Sequence, residues 1–457
     1  MPPDVNPLEP ISPAPTRADP VPLRESLKVW LYISAVSFGG PAAQIATMTR
    51  VLVEEKRWIS QSRFLHALSY CTLLPGPEAQ QLATYLGWLL NGPRGAFLAG
   101  WLFVLPSYLS ILLFSFLYLA YGQTPALEGI FFGLKCAVLS IVLEALIKVS
   151  RRALVSGAAR GLALVSFVML FFLNIPFPLL ILGAGLIGFS MPNVFSSAPK
   201  NGKVLEQTQP LIPDSSLHTV RPSWRYSIAV LVGGLALWWL PVGIAFLLEQ
   251  KTLVQIGLFF GQTAAVAFGG AYALLAYVAQ RAVEVYGWLS PLEMVDGLAL
   301  AETTPGPLIG VVQFVGALAA YRSSTGLNPW FAAFLGATLT CWVTFAPSFL
   351  WIFLGAPFVE KLRQNVQLSS ALSAITAAVV GVILNLSVWF ALHVLFARVD
   401  TQIWGILKLE QPSSPLFWAW FLALLGGFLL LRSRWNLLWV LGLSAVVGGV
   451  LSLLGWI

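Results

Sequence analysis

The chain has 457 residues, 58% of them hydrophobic and only 10% charged, with 18 tryptophans and a mean hydropathy of +0.80. So few charges do not cover the surface of a soluble protein of this length, and an all-α polytopic integral membrane protein is expected. The net charge of +7 sits in short stretches between apolar runs, where it reports topology and gives no ground for nucleic-acid binding.

Residues 1–26 hold eight prolines interspersed with charges and no apolar core of signal-peptide length, so a disordered cytoplasmic tail is expected. A first membrane element at 27–48 is interrupted at Gly39-Gly40-Pro41. The charged stretch 50–63 reads as an interfacial helix, and 64–74 and 78–91 read as half-length pieces on either side of Pro75-Gly76-Pro77. Full spans follow at 96–121 and 126–148, inside a charge-free run of 33 residues between Arg94 and Glu128 and the apolar sequence after it. Shorter segments at 161–173 and 177–192 flank Asn-Ile-Pro-Phe-Pro and lead into a polar cytoplasmic linker at 193–225. The remaining elements are 226–248, 252–280, 292–304 with 307–321, 330–354, 368–397, 416–431 and 436–456. Frequent Gly and Pro without polar-apolar alternation argue against a β-barrel.

The second half repeats the first. At an offset of 230, Phe38-Gly39-Gly40 falls on Phe268-Gly269-Gly270, Trp58 on Trp288, Ser60 on Ser290 and Pro75-Gly76-Pro77 on Pro305-Gly306-Pro307, with 13 identities in 40 ungapped positions. At an offset of 241, Trp101 meets Trp342 and Pro106-Ser107 meets Pro347-Ser348. The expected organisation is a first repeat at 27–192, an unpaired helix at 226–248 and a second repeat at 252–457. One extra span between two six-element halves turns the second upside down, an inverted repeat of the kind found in secondary transporters. Arg151, Arg152, Arg160 and the linker basics place those loops and the amino terminus in the cytoplasm. The basic residues of 50–63 join them there only if the broken elements are re-entrant hairpins.

Irregular backbone at membrane depth is tolerated where it lines a wet cavity or is buried in protein, so four breaks in two related pairs point to a central site. A half-helix starting after Gly40 or Gly76 aims unbonded N–H groups and a positive dipole end at its front, a setting in which an oxyanion binds without a lysine. This suits a chain whose intramembrane cations are scarce, Lys135 being the main one. Polar residues near the breaks are Gln44, Gln80, Gln81, Tyr272, Thr303 and Thr304, each able to supply a donor or merely to bond between helices. Glu78 and Glu302 are candidates for proton coupling, with helix capping as the other reading of Glu78. Glu144 and Lys148, at i and i+4, are expected to pair; Asn385 stands where the second half would repeat Glu144. Cys71, Cys136 and Cys341 lie singly in apolar sequence and read as buried thiols, and neither a metal nor a cofactor is expected.

The motifs SFGGPAAQIATM, VEEKRWIS, LPGPEAQQLATYLGW, AFGGAYALLAYVAQ and ETTPGPLIGVVQFVGA resemble those of the chromate ion transporter family in its two-domain form. The resemblance implies export of chromate across the bacterial inner membrane, with sulfate as a similar anion. It also implies a core of Gly39, Gly40, Pro41, Pro75, Gly76, Pro77, Gly269, Gly270, Pro305, Gly306 and Pro307. Ala271 stands where the first half has Pro41, a departure from strict symmetry. The rival expectations are a sulfate or other oxyanion transporter on the same scaffold, a passive anion channel, and an intramembrane enzyme. The last would need a nucleophile–base pair or metal set that three scattered histidines do not supply. Homo-oligomerisation is left open.

Overall fold

The computed structural model describes residues 21–38, 40–122, 124–195, 212, 223–268, 270–324, 326–355, 365–404, 407–433 and 435–457. The expectation of a disordered tail falls almost wholly outside these residues, as do most of the linker and both Gly39 and Gly269. What is described is helical apart from one hairpin. Among the described residues five helices are long and apolar enough to cross a membrane.

In the first half, α1 (Leu23–Val36) runs to the first break and α2 (Gly40–Thr49) leaves it, continuing into a π-helical turn at Arg50–Glu55. The stretch 50–63 is therefore not a separate interfacial helix. Its first part extends α2, and its last residues open α3 (Gln61–Cys71), whose first turn is capped by the Ser60 hydroxyl accepting from the Arg63 N–H at 3.1 Å. The same serine recurs at Ser290, where a capping box with Glu293 starts α12 (Pro291–Thr303). The Ser60/Ser290 identity in the repeat is thus a conserved helix start within the duplication.

After the second break, α4 (Glu78–Tyr121) bends sharply at Asn91 and Gly92, whose φ of +61° reverses the chain direction, so its two limbs form a hairpin. A Cβ on Gly87 would lie 2.5 Å from both Ala99 Cβ and Gly95 O, which shows how closely the limbs touch. The second half makes the same contact between α13 (Val311–Arg322) and α14 (Pro329–Gly355), where Gly316 and Gly336 meet. Between these lie α5 (Pro125–Ala153), α6 (Gly157–Phe171), α7 (Phe177–Ser190), the short α8 (Pro192–Phe195) and α9 (Trp224–Leu247). The unpaired helix, α9, is tied to α14 by two reciprocal indole bonds: Trp238 Nε1 donates to Val343 O and Trp342 Nε1 to Leu237 O.

Helices α10 (Lys251–Ala265) and α11 (Ala271–Gln280) flank the third break, and α15 (Val366–Leu395) packs along α5, α6 and α7. Then comes an antiparallel hairpin, β1 (Phe396–Trp404) and β2 (Leu407–Pro415), which the apolar-run reading did not anticipate. Its Lys408 reaches Glu284 at 2.8 Å and Glu410 at 3.2 Å. Burial alone would lower the Lys408 pKa, but these two carboxylates outweigh it and raise it above the usual lysine value. Helices α16 (Phe417–Gly427) and α17 (Leu437–Leu453) close the chain against α5.

The broken arms of each half fold back so that their outer ends meet. In the first half Asn91 Nδ2 donates to Val21 O and Lys56 pairs with Glu25 at 3.4 Å. In the second, Arg322 bonds both Glu293 and Trp288 O, and Thr252 donates to Ser323 O. The second limb of α4 runs from the first of these ends to the second. At 1.5 Å per residue its 29 residues span about 43 Å, enough to separate the two ends by a bilayer.

Candidate functional site

The four breaks are bonded crosswise between the halves, in two pairs. The Gly76 N–H donates to Ala267 O at 2.8 Å, and the Gly306 N–H donates to Ser37 O at 2.8 Å. These are the same bond made twice, since 76 and 306, and 37 and 267, are equivalent at the offset of 230. Each Pro-Gly-Pro break is thereby pinned to the chain just before the other half's Gly-Gly break.

The glycines are required by backbone geometry. Gly76 and Gly306 have φ of +127° and +101°, and Gly40 and Gly270 have +78° and +98°, all outside the range favoured by L side chains. The Pro-Gly-Pro glycines also lie against helices of the opposite half. A Cβ on Gly76 would sit 3.2 Å from Ser348 Oγ, and one on Gly306 would sit 2.8 Å from Ser107 Cβ. Ser107 and Ser348 are themselves equivalent at offset 241, so the Pro-Ser pairs of the repeat mark where each long helix receives the other half's break. Trp101 stacks on its own counterpart Trp342, ring centroids 5.4 Å apart, and Tyr108 bonds Thr338 nearby. Equivalent residues touch each other only close to an axis relating the halves.

The predicted polar residues divide into those that brace the breaks and those that do not. Gln44 Nε2 donates to Gly306 O across the halves, and Gln81 Nε2 donates to Pro75 O at 2.7 Å within its own. Gln80 Nε2 reaches Thr84 Oγ1 at 3.3 Å, away from the break. Thr303 and Thr304 return their hydroxyls to Leu300 O and Ala301 O, bonds that finish the end of α12. Tyr272 donates to Glu302 Oε1 at 2.7 Å, a part-buried pair with no first-half counterpart, Ala42 and Thr72 standing at the equivalent positions. Glu78 is the first residue of α4 and half-buried; no side chain caps that helix end. Its carboxylate lies where the helix dipole is positive. Pro41, Pro77 and Pro307 sit beside the breaks they flank; Pro77 and Pro307 are the N-cap residues of the helical turns that follow.

The N–H groups of Gly76 and Gly306 themselves are spent on the crossed bonds. The N–H groups at the breaks without a partner earlier in their own helix are those of the first turns of α2, α4 (Glu78 to Gln80) and α11. Two hydroxyls missed in the sequence, Ser348 Oγ and Thr344 Oγ1, one turn apart on α14 and fully or nearly fully buried, have no hydrogen-bond partner among the described residues. The signal for Ser348 was present in the repeated Pro-Ser pair. Asp296, which pairs with Lys135, was also passed over, although an acid within the apolar run LEMVDGLALAE carries the same argument as Glu302. The expected Glu144–Lys148 pair forms at 2.6 Å, and all three cysteines are buried free thiols.

Comparison with known proteins identifies the family. The chain is 28% identical over 430 residues to a chromate transport protein of Cupriavidus metallidurans, covering 91% of this chain and 94% of the relative. It is 29% identical over 366 residues to a probable chromate transport protein of Synechococcus elongatus, covering 79% and 82% of the two chains. A chromate transport protein of Pseudomonas aeruginosa is 28% identical over 376 residues, covering 81% and 82%. No solved structure matches the chain significantly. The family profile described as Chromate transporter matches residues 24–189 and 254–449, one stretch in each half, and the chain belongs to that family of membrane transporters.

Proposed function

We propose that this protein exports chromate from the cytoplasm across the bacterial inner membrane, binding the anion where the four breaks meet. The observation that carries the reading is the crossed bonding of Gly76 to Ala267 and Gly306 to Ser37. A bond made once from each half ties each Pro-Gly-Pro break to the opposite half, so a rocking of one half against the other must exchange both bonds together. Such a junction is where an alternating-access carrier holds its cargo. The donors available to a tetrahedral oxyanion are the first-turn N–H groups of α4 and the hydroxyls of Ser348 and Thr344. Gly40, Gly270, Pro75 and Pro305 hold the irregular backbone that leaves those groups unpaired, and Gln44 and Gln81 brace it.

The two halves are inverted across the membrane in this reading, each a separate repeat, with α9 supplying the odd crossing. Support comes from the arms: the first-half ends gather at Val21, Glu25, Lys56 and Asn91, and the second-half ends gather about 43 Å along α4 at Glu293 and Arg322. The first-half end is cytoplasmic because its basic residues then lie on the same side as Arg151, Arg152 and Arg160. In a cysteine-free background, a cysteine at position 56 is expected to react with a membrane-impermeant maleimide only in everted vesicles, and a cysteine at position 323 only in right-side-out ones. Labelling of both from one side overturns the inversion.

Everted vesicles from cells producing the protein are expected to accumulate chromate at least several-fold over vesicles without it, and excess sulfate to compete. Absence of chromate accumulation in energised vesicles removes the reading.

A further inference from the structure

Away from the breaks, a cavity of about 560 Å³ opens at the Tyr121 end of α4, between the start of α5, the start of α12 and the end of α13. That volume is in the range of small-ligand pockets and far exceeds one tetrahedral oxyanion. Two cations line it, and they are held differently. Arg322 forks onto Glu293 through both terminal nitrogens and also bonds Trp288 O, so three of its five N–H donors and its charge are committed. Lys135 is mostly buried and meets Asp296 Oδ1 at 3.3 Å, longer than a strong ammonium–carboxylate bond. Asp296 itself is 4% exposed and is anchored by the Tyr118 hydroxyl on Oδ2 at 2.9 Å, so that its Oδ1 is left with the long contact to Lys135. A loose buried ion pair at the wall of a cavity is a poor device for stability. It is a good device for exchange of one anion for another.

We propose that Lys135 is a second oxyanion subsite, for which Asp296 is the resident counter-ion that an incoming anion replaces. The subsite belongs to one end of the molecule alone: Thr376 stands at the equivalent of Lys135, and His66 at that of Asp296. Glu128, also on the cavity, is exposed at its mouth, where water screens it. The proposal rests on the transport reading only for the identity of the anion; its chemistry requires no more than a tetrahedral oxyanion.

Sulfate-dependent thermal stabilisation of the purified full-length protein, with chloride at equal ionic strength as control, tests it without any transport step. Asp296→Asn frees Lys135 and is expected to lower the sulfate concentration giving half-maximal stabilisation about tenfold, while Lys135→Met weakens the response. The double variant Lys135→Met/Asp296→Asn sets the baseline left by the central site. Tyr118→Phe, which only loosens Asp296, is expected to shift in the same direction as Asp296→Asn by about threefold, and it serves where the charge variant does not fold. Opposite shifts for the Asp296 or Tyr118 variants and Lys135→Met support the subsite. Shifts of the same sign, or a response in every variant equal to that of wild type, overturn it. Loss of chromate flux in wild-type vesicles would count against the transport reading alone.

Discussion

Gly306→Ala is expected to abolish chromate flux, while Gly40→Ala leaves a measurable fraction. Both glycines have positive φ, and forcing alanine into that region costs about 1–2 kcal/mol. They differ in what surrounds them. A Cβ on Gly40 meets nothing within 4 Å, whereas one on Gly306 lies 2.8 Å from Ser107 Cβ, an atom fixed to a helix backbone that no rotamer change can move. Relieving that contact means shifting α4 or the break, adding roughly 1–3 kcal/mol of overpacking and straining the bond to Ser37 O. Gly76→Ala should fall between the two, because the nearest atom to its Cβ is the Gln81 Nε2, at 2.7 Å, the far end of a side chain that can swing away at the loss of its bond to Pro75 O. Gly270→Ala, with open space around it, should resemble Gly40→Ala. Flux and thermal stability measured across the four variants check the order. Adding Ser107→Gly to Gly306→Ala should restore part of the flux, since it removes the clash and leaves the backbone strain. Equal losses at Gly40 and Gly306 would mean that packing of the break against α4 plays no part.

That prediction draws on two kinds of information, and only one was legible in the sequence. The breaks, their pairing and their glycines can be read from Phe38-Gly39-Gly40, Pro75-Gly76-Pro77 and their copies, because an interruption in apolar sequence has few physical explanations. The repeated Trp101/Trp342 and Ser107/Ser348 were visible too, but not their meaning. A repeat shows that positions are equivalent; it does not show that equivalent tryptophans stack on each other or that each serine receives the opposite half's glycine. Crossed contacts between segments some 190 to 270 residues apart leave no periodicity to detect. The β1–β2 hairpin escaped for a different reason. Its strands mix polar and apolar residues and lie almost wholly outside the apolar runs from which the elements were drawn.

Collapse of the membrane potential is expected to stop net chromate export, and collapse of the pH gradient at constant potential to leave most of it. At about 100 mV, inside negative, each charge moved is worth roughly 2.3 kcal/mol, so an outgoing dianion gains about 4.6 kcal/mol, some three decades of concentration ratio. Uptake driven by the same potential would need at least three protons or other cations per dianion. The acids described within the membrane elements do not supply such a load. Asp296 is bound to Lys135 and Tyr118, Glu144 to Lys148, and Glu302 to Tyr272, which leaves Glu78 without a side-chain hydrogen bond or ion pair among the described residues. Everted vesicles treated with valinomycin and potassium to set the potential, and with nigericin to remove the pH gradient, separate the two forces. Reversing the imposed potential should reverse the direction of net flux. If flux instead follows the pH gradient at zero potential, the dianion moves with compensating protons, and Glu78→Gln and Glu302→Gln become the variants that should uncouple it.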